Sequence, residues 1–430
     1  MKRFMRRLRI ELEDTLRYHP FVRERVADYY RYRGWKAPPD AQGRIRAIKD
    51  LCAAARIGLN LERIERTSRR IHEHLIGLDY RSVDWSEFVS GLSPILGMSE
   101  LIKAPHGQEK GVLFVPFEVE WARLMVNVDL VALAQRYHVV LAPSSSPYNL
   151  INYIFSAVFP GPLFTTISNP ENVTALPSIS SRFVVVPLYA SSWVDPTRFL
   201  LRSRHERDLD LVMVANWGKP KRHHALLRAL RNMPRSLRVH LIGQDSDGRN
   251  ADTIRSMASA YGVADRFTLQ SDAAYPQVAD TLCRARASVI VSRREGSCVV
   301  VAESLFADTP VALLRGAEIG SRVFLNEQTG RFLDERNLGR ELMAFIDEAE
   351  CYRPRAWADA NISCYRSVDI LNGLLARHAA ATGETWTAGV RAFTWCPFPR
   401  VIDPVERATL APARRELHER FGITISEDGV

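Results

Sequence analysis

Residues 287–314 read ASVIVSRREGSCVVVAESLFADTPVALL, and the fold prediction rests on this stretch. Two apolar segments, ASVIVS and PVALL, have the length and the β-branched content of buried strands. The segment VVVAESLFAD between them is long enough for a crossover helix. A strand, a helix and a second strand in this order are typical of a parallel sheet covered by helices.

The same alternation continues on the N-terminal side of this stretch, with helical segments between the apolar runs. It predicts a Rossmann-like domain over residues 206–350. A similar but weaker alternation predicts a second domain of this class over residues 109–195. The runs are LDLVMVAN, LRVHLIG and RFTLQ in the first case, and GVLFVPF, HVVLAP, PLFTTIS and RFVVVPLY in the second.

The two ends of the chain show a different sequence pattern. Residues 1–108 show helical periodicity and no convincing strand, which predicts a helical N-terminal extension. Residues 351–430 predict helices and a tail that pack back on the N-terminal domain. The expected class is therefore α/β, with two Rossmann-like domains facing a cleft and a helical, basic extension before them.

Composition restricts the classes of protein. The 430 residues favour two or three domains, and no stretch approaches the roughly 18 apolar residues of a membrane-spanning helix. The six cysteines show no Cys-x-x-Cys pair and no metal spacing, which predicts a reducing, cytoplasmic location. They are Cys52, Cys283, Cys298, Cys351, Cys364 and Cys396.

The formal net charge is +9, and part of it is concentrated in residues 1–9, which contain five cations and no acid. Apolar residues recur there at helical spacing, so a basic amphipathic helix is predicted. Two interpretations stay open: its apolar stripe packs on the next domain, or residues 1–16 bind an anionic membrane surface, peripherally at the inner face. Nucleic acid is not an expected partner, because no aromatic residues alternate with the basic ones. The stripe is Phe4, Met5, Leu8, Leu12 and Leu16.

Two glutamates mark the candidate site. Glu295 follows the strand ASVIVS, and Glu303 lies in the helix after it. Ligands of open parallel sheets bind beyond the carboxyl ends of the strands, and Gly296 with the next amides suits an anion there. Carboxylates accept hydrogen bonds from sugar hydroxyls. The alternative is that Glu295 only favours the helix start and that Glu303 faces solvent.

A basic cluster follows the first strand of the same domain. The segment NWGKPKRHH contains Lys219, Lys221 and Arg222 and belongs to the same edge of the sheet. Alone it could be a solvated turn. Together with the glutamates across one crevice, it predicts cations for a phosphate.

At this point the sequence resembles the retaining GT-B glycosyltransferases of the class glycosyl transferases group 1, or family 4. EGSCVVVAESLFADTPVALL is similar to their E-x7-E segment in both glutamates, in Gly296 and in the Thr-Pro-Val at 309–311. Three further segments follow the family order: VVPLYASSWVDPTRF, HLIGQD and NEQTGRFLD.

The resemblance implies roles for these residues. Glu295 would bind hydroxyls of the donor sugar, Glu303 the ribose hydroxyls, and Lys221 the donor diphosphate. The family has an arginine where this chain has Asn216, so Lys219 or Arg222 is expected to compensate. The remaining donor contacts would be backbone amides of Gly296, Ser297 and Cys298.

The implied activity is transfer of a sugar from a nucleotide sugar to a glycan, lipid-linked or small-molecule acceptor, as in polysaccharide biosynthesis. Retention of configuration without metal or other cofactor is expected. The alternative is a non-catalytic nucleotide-sugar-binding or scaffold protein, favoured by Asn216 and by a first strand whose FVPFEVEWAR lacks the family's glycine loop.

Acceptor-side candidates are Glu118 and Glu120, which either orient or deprotonate an acceptor hydroxyl or only favour the start of a helix. The two Asp-x-Asp sequences, at 208–210 and 245–247, are interpreted as a strand start and a turn, not as metal ligands.

Overall fold

The computed structural model describes residues 1–395 and 398–426, without the side chain of Lys2. The chain forms two compact units. The first unit comprises Met1–Leu16 and Ser191–Arg366, and the second comprises Arg17–Ala190 and Ser367–Val430. Five cysteines are free thiols, and Cys396 lies outside the described residues.

Short strands form the centre of each unit. They are β1 Ile95–Leu96, β2 Glu100–Lys103, β3 Gly111–Pro116, β4 Tyr137–Ala142, β5 Leu163–Thr166, β6 Phe183–Val186, β7 Leu209–Val214, β8 Val239–Gly243, β9 Thr268–Ser271, β10 Ala285–Ile290, β11 Val311–Leu314, β12 Gly330–Leu333, β13 Phe393–Thr394, β14 Arg400–Val401 and β15 Thr424–Ile425.

Helices connect and cover the strands. They are α1 Lys2–Tyr18, α2 Pro20–Trp35, α3 Ala41–Ile57, α4 Leu61–Leu75, α5 Glu118–Asn127, α6 Leu130–Arg136, α7 Leu150–Val158, α8 Asn172–Ile179, α9 His223–Leu230, α10 Ala251–Tyr261, α11 Tyr275–Arg284, α12 Val300–Phe306, α13 Leu338–Asp347, α14 Pro354–Asn361, α15 Cys364–Thr382, α16 Pro404–Thr409 and α17 Ala411–Phe421.

The first unit has a six-stranded sheet in the order β9-β8-β7-β10-β11-β12, and every neighbouring pair is parallel. Counted along the chain this is the order 3-2-1-4-5-6 of a Rossmann fold, so the Rossmann-like class predicted for this part of the chain is confirmed. The winding direction reverses between β7 and β10. The carboxyl ends of these two strands therefore define the crevice where such folds bind ligands.

Gly243 lies where the end of β8 closely approaches the loop after β7. A Cβ at Gly243 would lie 2.4 Å from the carbonyl oxygen of Ala215 and 2.8 Å from the Trp217 ring. Only glycine allows the end of β8 to approach the loop after β7 so closely. The HLIGQD segment is thus constrained by packing beneath the loop that carries Lys221.

The second unit has a five-stranded sheet in the order β2-β3-β4-β5-β6. The strands β3, β4, β5 and β6 are parallel, and β2 pairs antiparallel with β3 at one edge. The four runs between residues 111 and 189 are confirmed as strands, and the two Rossmann-like units are confirmed. The α-helical character expected for residues 1–108 needs correction, because β1 and β2 lie there.

The predicted boundary at residue 108 also differs from the structure. Residues 1–16 belong to the first unit, whereas α2, α3 and α4 belong to the second, where α3 and α4 pack on α7. A helical pattern shows that a segment is amphipathic but not which element its apolar face meets. The helices are therefore walls of the two units and not a separate extension.

Residues after 367 cover one face of the second sheet. Phe114 of β3 packs against Phe393 and Trp395, with ring centroids 4.9 and 5.3 Å apart. Phe164 of β5 packs edge-on against His378 of α15. These strands are apolar on both faces because a C-terminal segment supplies the second layer.

Helix α1 contacts the rest of the first unit through its polar residues. The Tyr261 hydroxyl donates to Glu11 at 2.7 Å, and Arg228 pairs with the same carboxylate. The apolar stripe is turned outward, with Leu8 50% and Leu12 55% exposed. Hydrogen bonds and ion pairs of its acidic residues thus hold α1 on the first unit, with the stripe about half-exposed. None of the helices within the described residues is both long and apolar enough to cross a bilayer.

Candidate functional site

Lys221 and Glu295 meet where the sheet of the first unit reverses direction. Lys221 follows β7 and Glu295 follows β10, the two strands that flank the reversal. The Lys221 Nζ donates to Glu295 Oε2 at 2.5 Å. The structure thus brings two of the predicted residues into direct contact at the edge where an α/β sheet binds its ligand.

The pair is electrostatically coupled and partly shielded from solvent. Burial disfavours the charged form of Lys221, but the adjacent Glu295 carboxylate outweighs burial and raises the pKa of Lys221. The side chains of Lys221 and Glu295 are 21% and 10% exposed. A charged lysine at this position is therefore available to an anion that can compete with Glu295.

The loop after Glu295 is held by its carbonyl groups. Gly320 N donates to Gly296 O at 2.7 Å, and Ser321 N donates to Ser297 O at 3.1 Å. The Ser297 hydroxyl accepts from Ser191 N at 2.8 Å. Over the described part of the chain, the amides of residues 296–298 have no assigned acceptor, so they are free to donate to a ligand.

Cys298 and Glu303 belong to the same group of side chains as Lys221 and Glu295. Burial raises the pKa of the Cys298 thiol well above its ordinary value, and the neighbouring Glu295 raises it further. Glu303 also acts on this thiol, so its carboxylate belongs to the same group, and it is 7% exposed in α12. The expectation that Glu303 simply faces solvent is therefore wrong.

Arg222 has other partners. It is 1% exposed, and its guanidinium donates to Asp14 at 2.9 and 2.7 Å. It also donates to Glu335 Oε1 at 2.6 Å and to Val291 O at 3.0 Å. Arg222 thus ties α1 to the two loops of the site, and it is not placed to compensate for the missing arginine.

Sequence reasoning missed the acidic partners of Arg222. Asp14 stands just after the basic run, and Glu335 lies outside every segment that resembles the family. Glu335 also accepts from Arg293 at 2.9 Å, and hydrogen bonds from Arg222 and Arg293 outweigh burial and lower the pKa of Glu335 to about 2. The acids that follow the basic run of residues 1–9 were the available signal.

The other two candidates near β7 lie at the rim. Lys219 is exposed, with Nζ 3.7 Å from Glu13 Oε2. The side-chain oxygen of Asn216 accepts from Gly218 N at 3.1 Å and so shapes the turn before Lys221. Lys219 is thus an exposed cation, and Asn216 is a neutral residue that holds the turn.

Backbone strain concentrates in the candidate loops. Among the described residues, those with positive φ that are not Gly or Asp are Phe117, Arg222 and Cys298, at 61°, 53° and 52°. Such conformations are unfavourable by about 1–3 kcal/mol and persist where surrounding structure imposes them, often at functional sites. Each of the three adjoins a residue predicted from the sequence: Glu118, Lys221 or Ser297.

In the second unit, the structure separates the two acceptor-side candidates. Glu118 lines a cavity of about 360 Å³ formed by α2, α3, α5 and the loop after β4. Burial raises the pKa of Glu118, whose carboxylate accepts from Ser144 N at 3.3 Å. The polar and aromatic lining includes Tyr30, Lys49, Asp50, Arg56 and Tyr148.

Glu120 is a structural residue. It is fully buried and pairs with Arg123 at 2.5 Å. It also accepts from the Ser99 hydroxyl at 2.8 Å and from Met98 N at 3.3 Å. These bonds fix the segment before β2, and the residues that line the cavity do not include Glu120.

The remaining features do not add to the site. A cavity of about 670 Å³ lies beside β12 and contains none of the predicted residues. Asp208 and Asp210 pair with Arg284 and Arg238. Within the described residues, no group of three or more His, Cys, Asp or Glu side chains is arranged to hold a metal ion.

Comparison with known protein families gives a match, and it lies in the first unit. Residues 202–350, which lie in the first unit, match the family model of glycosyl transferases group 1. Among curated proteins, none matches the chain.

The chain is also similar to several solved structures at low sequence identity. The chain is similar to sucrose-phosphate synthase from Thermosynechococcus elongatus, with a TM-score of 0.50, 14% identity, and coverage of 75% of this chain and 81% of that one. For the pneumococcal O-GlcNAc transferase GtfA in complex with UDP and GlcNAc, the TM-score is 0.45, the identity 14% and the coverage 59% and 55%. For Anabaena Alr3699/HepE in complex with UDP, the values are 0.48, 14%, 62% and 78%. The chain thus spans about half of the pneumococcal enzyme's length. These likenesses concern the fold alone.

Proposed function

We propose that this protein transfers a sugar from a nucleotide-diphosphate sugar to an acceptor hydroxyl, with retention of configuration and without a metal ion or other cofactor. The observation that carries the proposal is the contact between Lys221 and Glu295 where the sheet reverses direction. Both residues lie within the segment that matches glycosyl transferases group 1. Position, charge and family thus agree on a donor site.

The leaving diphosphate requires positive charge. Lys221 carries it, and the free amides of residues 296–298 add donors in the same loop. As the acceptor oxygen bonds to the anomeric carbon, the bond to the diphosphate breaks and its electrons leave with the phosphate oxygen. Each well-placed donor to this developing charge contributes about 3–4 kcal/mol.

The glutamates bind hydroxyl groups in this proposal. A diphosphate that attracts Lys221 weakens the contact with Glu295, whose oxygens then accept from the donor sugar. Oε1 of Glu295 is buried and has no assigned hydrogen-bond partner among the described residues, so it is suited to this role. Glu303 is assigned to the ribose hydroxyls, and Lys219 and Asn216 to the rim of the site.

The acceptor is assigned to the cavity beside Glu118. Charged groups of both signs and tyrosines line this cavity, and such a surface suits a polyhydroxylated molecule better than an apolar one. A glycan, a lipid-linked sugar or a small polyol fits this chemistry. Glu118 accepts the proton that leaves the acceptor hydroxyl, and its raised pKa is suited to that task. We place the activity in polysaccharide biosynthesis at the cytoplasmic, inner face of a membrane.

A second candidate function is non-catalytic binding of a nucleotide sugar. It is favoured by Asn216 in place of the family arginine and by the neutralisation of Lys221 by Glu295. Binding without turnover distinguishes this candidate from the enzyme.

The test begins with thermal unfolding of the full chain in the presence of UDP, GDP or ADP, because a ligand that binds the folded state raises its stability. The matching nucleotide sugars are then assayed for donor consumption, and NMR determines the anomeric configuration of the product. Lys221→Ala is expected to lower turnover by about a hundredfold or more.

Lys110→Ala is the matched control, because Lys110 pairs with Glu384 at 2.9 Å and its side chain is about as exposed as that of Lys221. Undiminished turnover in Lys221→Ala would remove Lys221 from the mechanism. A nucleotide-selective stability shift without any donor consumption would support the binding protein instead.

A further inference from the structure

Helix α1 has one docked face and one free face. Glu11 and Asp14 bind Arg228 and Arg222 of the first unit, and Glu13 lies 3.7 Å from Lys219. The three acids of the helix are therefore all directed to cations of the protein. Glu13 also accepts from Arg9 of the same helix at 2.8 Å, and Arg6 donates to Ser256 of the first unit, while the Arg9 side chain stays 81% exposed.

The free face is apolar along its whole length. The residues Phe4, Leu8, Leu12 and Leu16 follow one another at four-residue spacing, with Met5 beside them, and each is 46–56% exposed. Five large apolar side chains along a single helical stripe differ from the scattered apolar residues normal on a protein surface. A stripe of this kind needs a covering surface.

The charged residues near the stripe indicate which kind of surface covers it. Residues 1–9 contain five cations, and among the described residues no carboxylate pairs with Arg3, Arg6 or Arg7. Arg9 is four residues after Met5 and three before Leu12, so it flanks the stripe. Long basic side chains beside an apolar stripe place their charges at lipid headgroups while the apolar residues enter the acyl boundary.

We infer that α1 binds an anionic lipid surface through the stripe Phe4, Met5, Leu8, Leu12 and Leu16, with the first unit attached to its opposite face. The ion pairs of Glu11 and Asp14 hold the helix so that both contacts are made together. Insertion of the stripe provides affinity, and the arginines provide selectivity for negative lipids. This surface is separate from the proposed donor site, so the inference holds or fails independently of it.

The test is co-sedimentation of the full chain with vesicles of phosphatidylcholine containing phosphatidylglycerol, and with vesicles of phosphatidylcholine alone. Stronger binding to the anionic vesicles, weakened by added salt, is expected. The double variant Leu8→Gln with Leu12→Gln is expected to bind at least about tenfold more weakly. Arg3→Gln with Arg9→Gln is expected to reduce the preference for anionic vesicles.

The matched control is Leu61→Gln with Leu200→Gln, which changes two leucines that are 75% and 83% exposed outside α1. It should bind vesicles like the unchanged chain. Thermal unfolding and donor consumption with a soluble acceptor should be the same in both leucine variants, because Leu8 and Leu12 are about half-exposed and neither belongs to the proposed donor site.

Three outcomes overturn the inference. One is equal binding to both kinds of vesicle, and another is binding that the α1 variant does not weaken. The third is self-association of the chain that Leu8→Gln with Leu12→Gln abolishes while vesicles bind nothing, since the stripe would then be a contact between copies.

Discussion

Asp14 and Arg222 form a buried ion pair with two hydrogen bonds, although they are 208 residues apart in the chain. Burial alone would raise the pKa of Asp14, but hydrogen bonds from His224 and Arg222 outweigh it and hold that pKa well below its ordinary value. Because Arg222 directly follows Lys221 and also binds Val291 O, the pair connects the first helix to both loops of the candidate donor site.

Asp14→Asn should destabilise the protein. Removing one charge of a buried pair leaves the partner uncompensated, and the expected loss in free energy of unfolding is about 3 kcal/mol. Denaturant unfolding measures it, and nucleotide affinity is expected to fall several-fold because the turn bearing Lys221 loosens. Asp252→Asn is the control, since Asp252 pairs with Arg255 at the surface and its loss should be below about 1 kcal/mol. Equal effects of the two variants would contradict a structural role for the buried pair.

Glu118→Gln should lower activity, whereas Glu120→Gln should lower stability. Glu118 lines the cavity, so its change is expected to lower transfer to the acceptor about a hundredfold and to leave nucleotide binding and the unfolding temperature unchanged. Glu120 binds Arg123, Ser99 and Met98 N, so its change is expected to reduce the free energy of unfolding by about 2–3 kcal/mol.

Two measurements distinguish these variants: transfer per folded molecule, and denaturant unfolding. The assignment of the acceptor to this cavity would be wrong if Glu118→Gln transferred sugar at the full rate.

His138 should make stability depend on pH. Burial lowers the pKa of His138 to about 4, although Glu384 nearby favours its charged form. Between the unfolded value of about 6.5 and the folded value of about 4, the unfolded state binds more protons, so the free energy of unfolding falls as pH falls through this window. The loss attributable to His138 is of the order of 3 kcal/mol.

The measurement is denaturant unfolding of the unchanged chain and of His138→Gln at several pH values from 7 to 4. The pH dependence of the variant should be shallower by this amount. His19→Gln, which changes an exposed histidine, is the control and should follow the unchanged chain. Parallel curves for His138→Gln and the unchanged chain would show that His138 does not contribute.

Much of the first unit could be predicted because its signals are local. The strands β7, β8, β10 and β11 are apolar runs bounded by polar residues, as a parallel sheet buried on both faces requires, whereas the edge strand β9 is polar and partly exposed. The position of Lys221 and Glu295 followed from the rule that ligands bind beyond strand ends. The strand β12 was contained in the segment NEQTGRFLD but was not recognised as a strand.

The contacts that orient these residues could not be predicted in the same way. Arg222 resembled a phosphate ligand in sequence because it lies beside Lys221, and only the fold shows that Asp14 and Glu335 surround it. Likewise, Glu118 and Glu120 are two residues apart at a helix start, and the wall contributed by α3 determines which of them meets a cavity. Pairings between distant residues carry no signal in one sequence.

The chain passes from one unit to the other after residues 16, 190 and 366, which has a consequence for protein engineering. The first unit cannot be exchanged with that of a relative as one continuous segment, because it comprises both Met1–Leu16 and Ser191–Arg366. A chimaera that replaces residues 191–366 but keeps the original first helix would place a foreign surface against Asp14. A stable chimaera therefore requires residues 1–16 and residues 191–366 to come from the same parent protein.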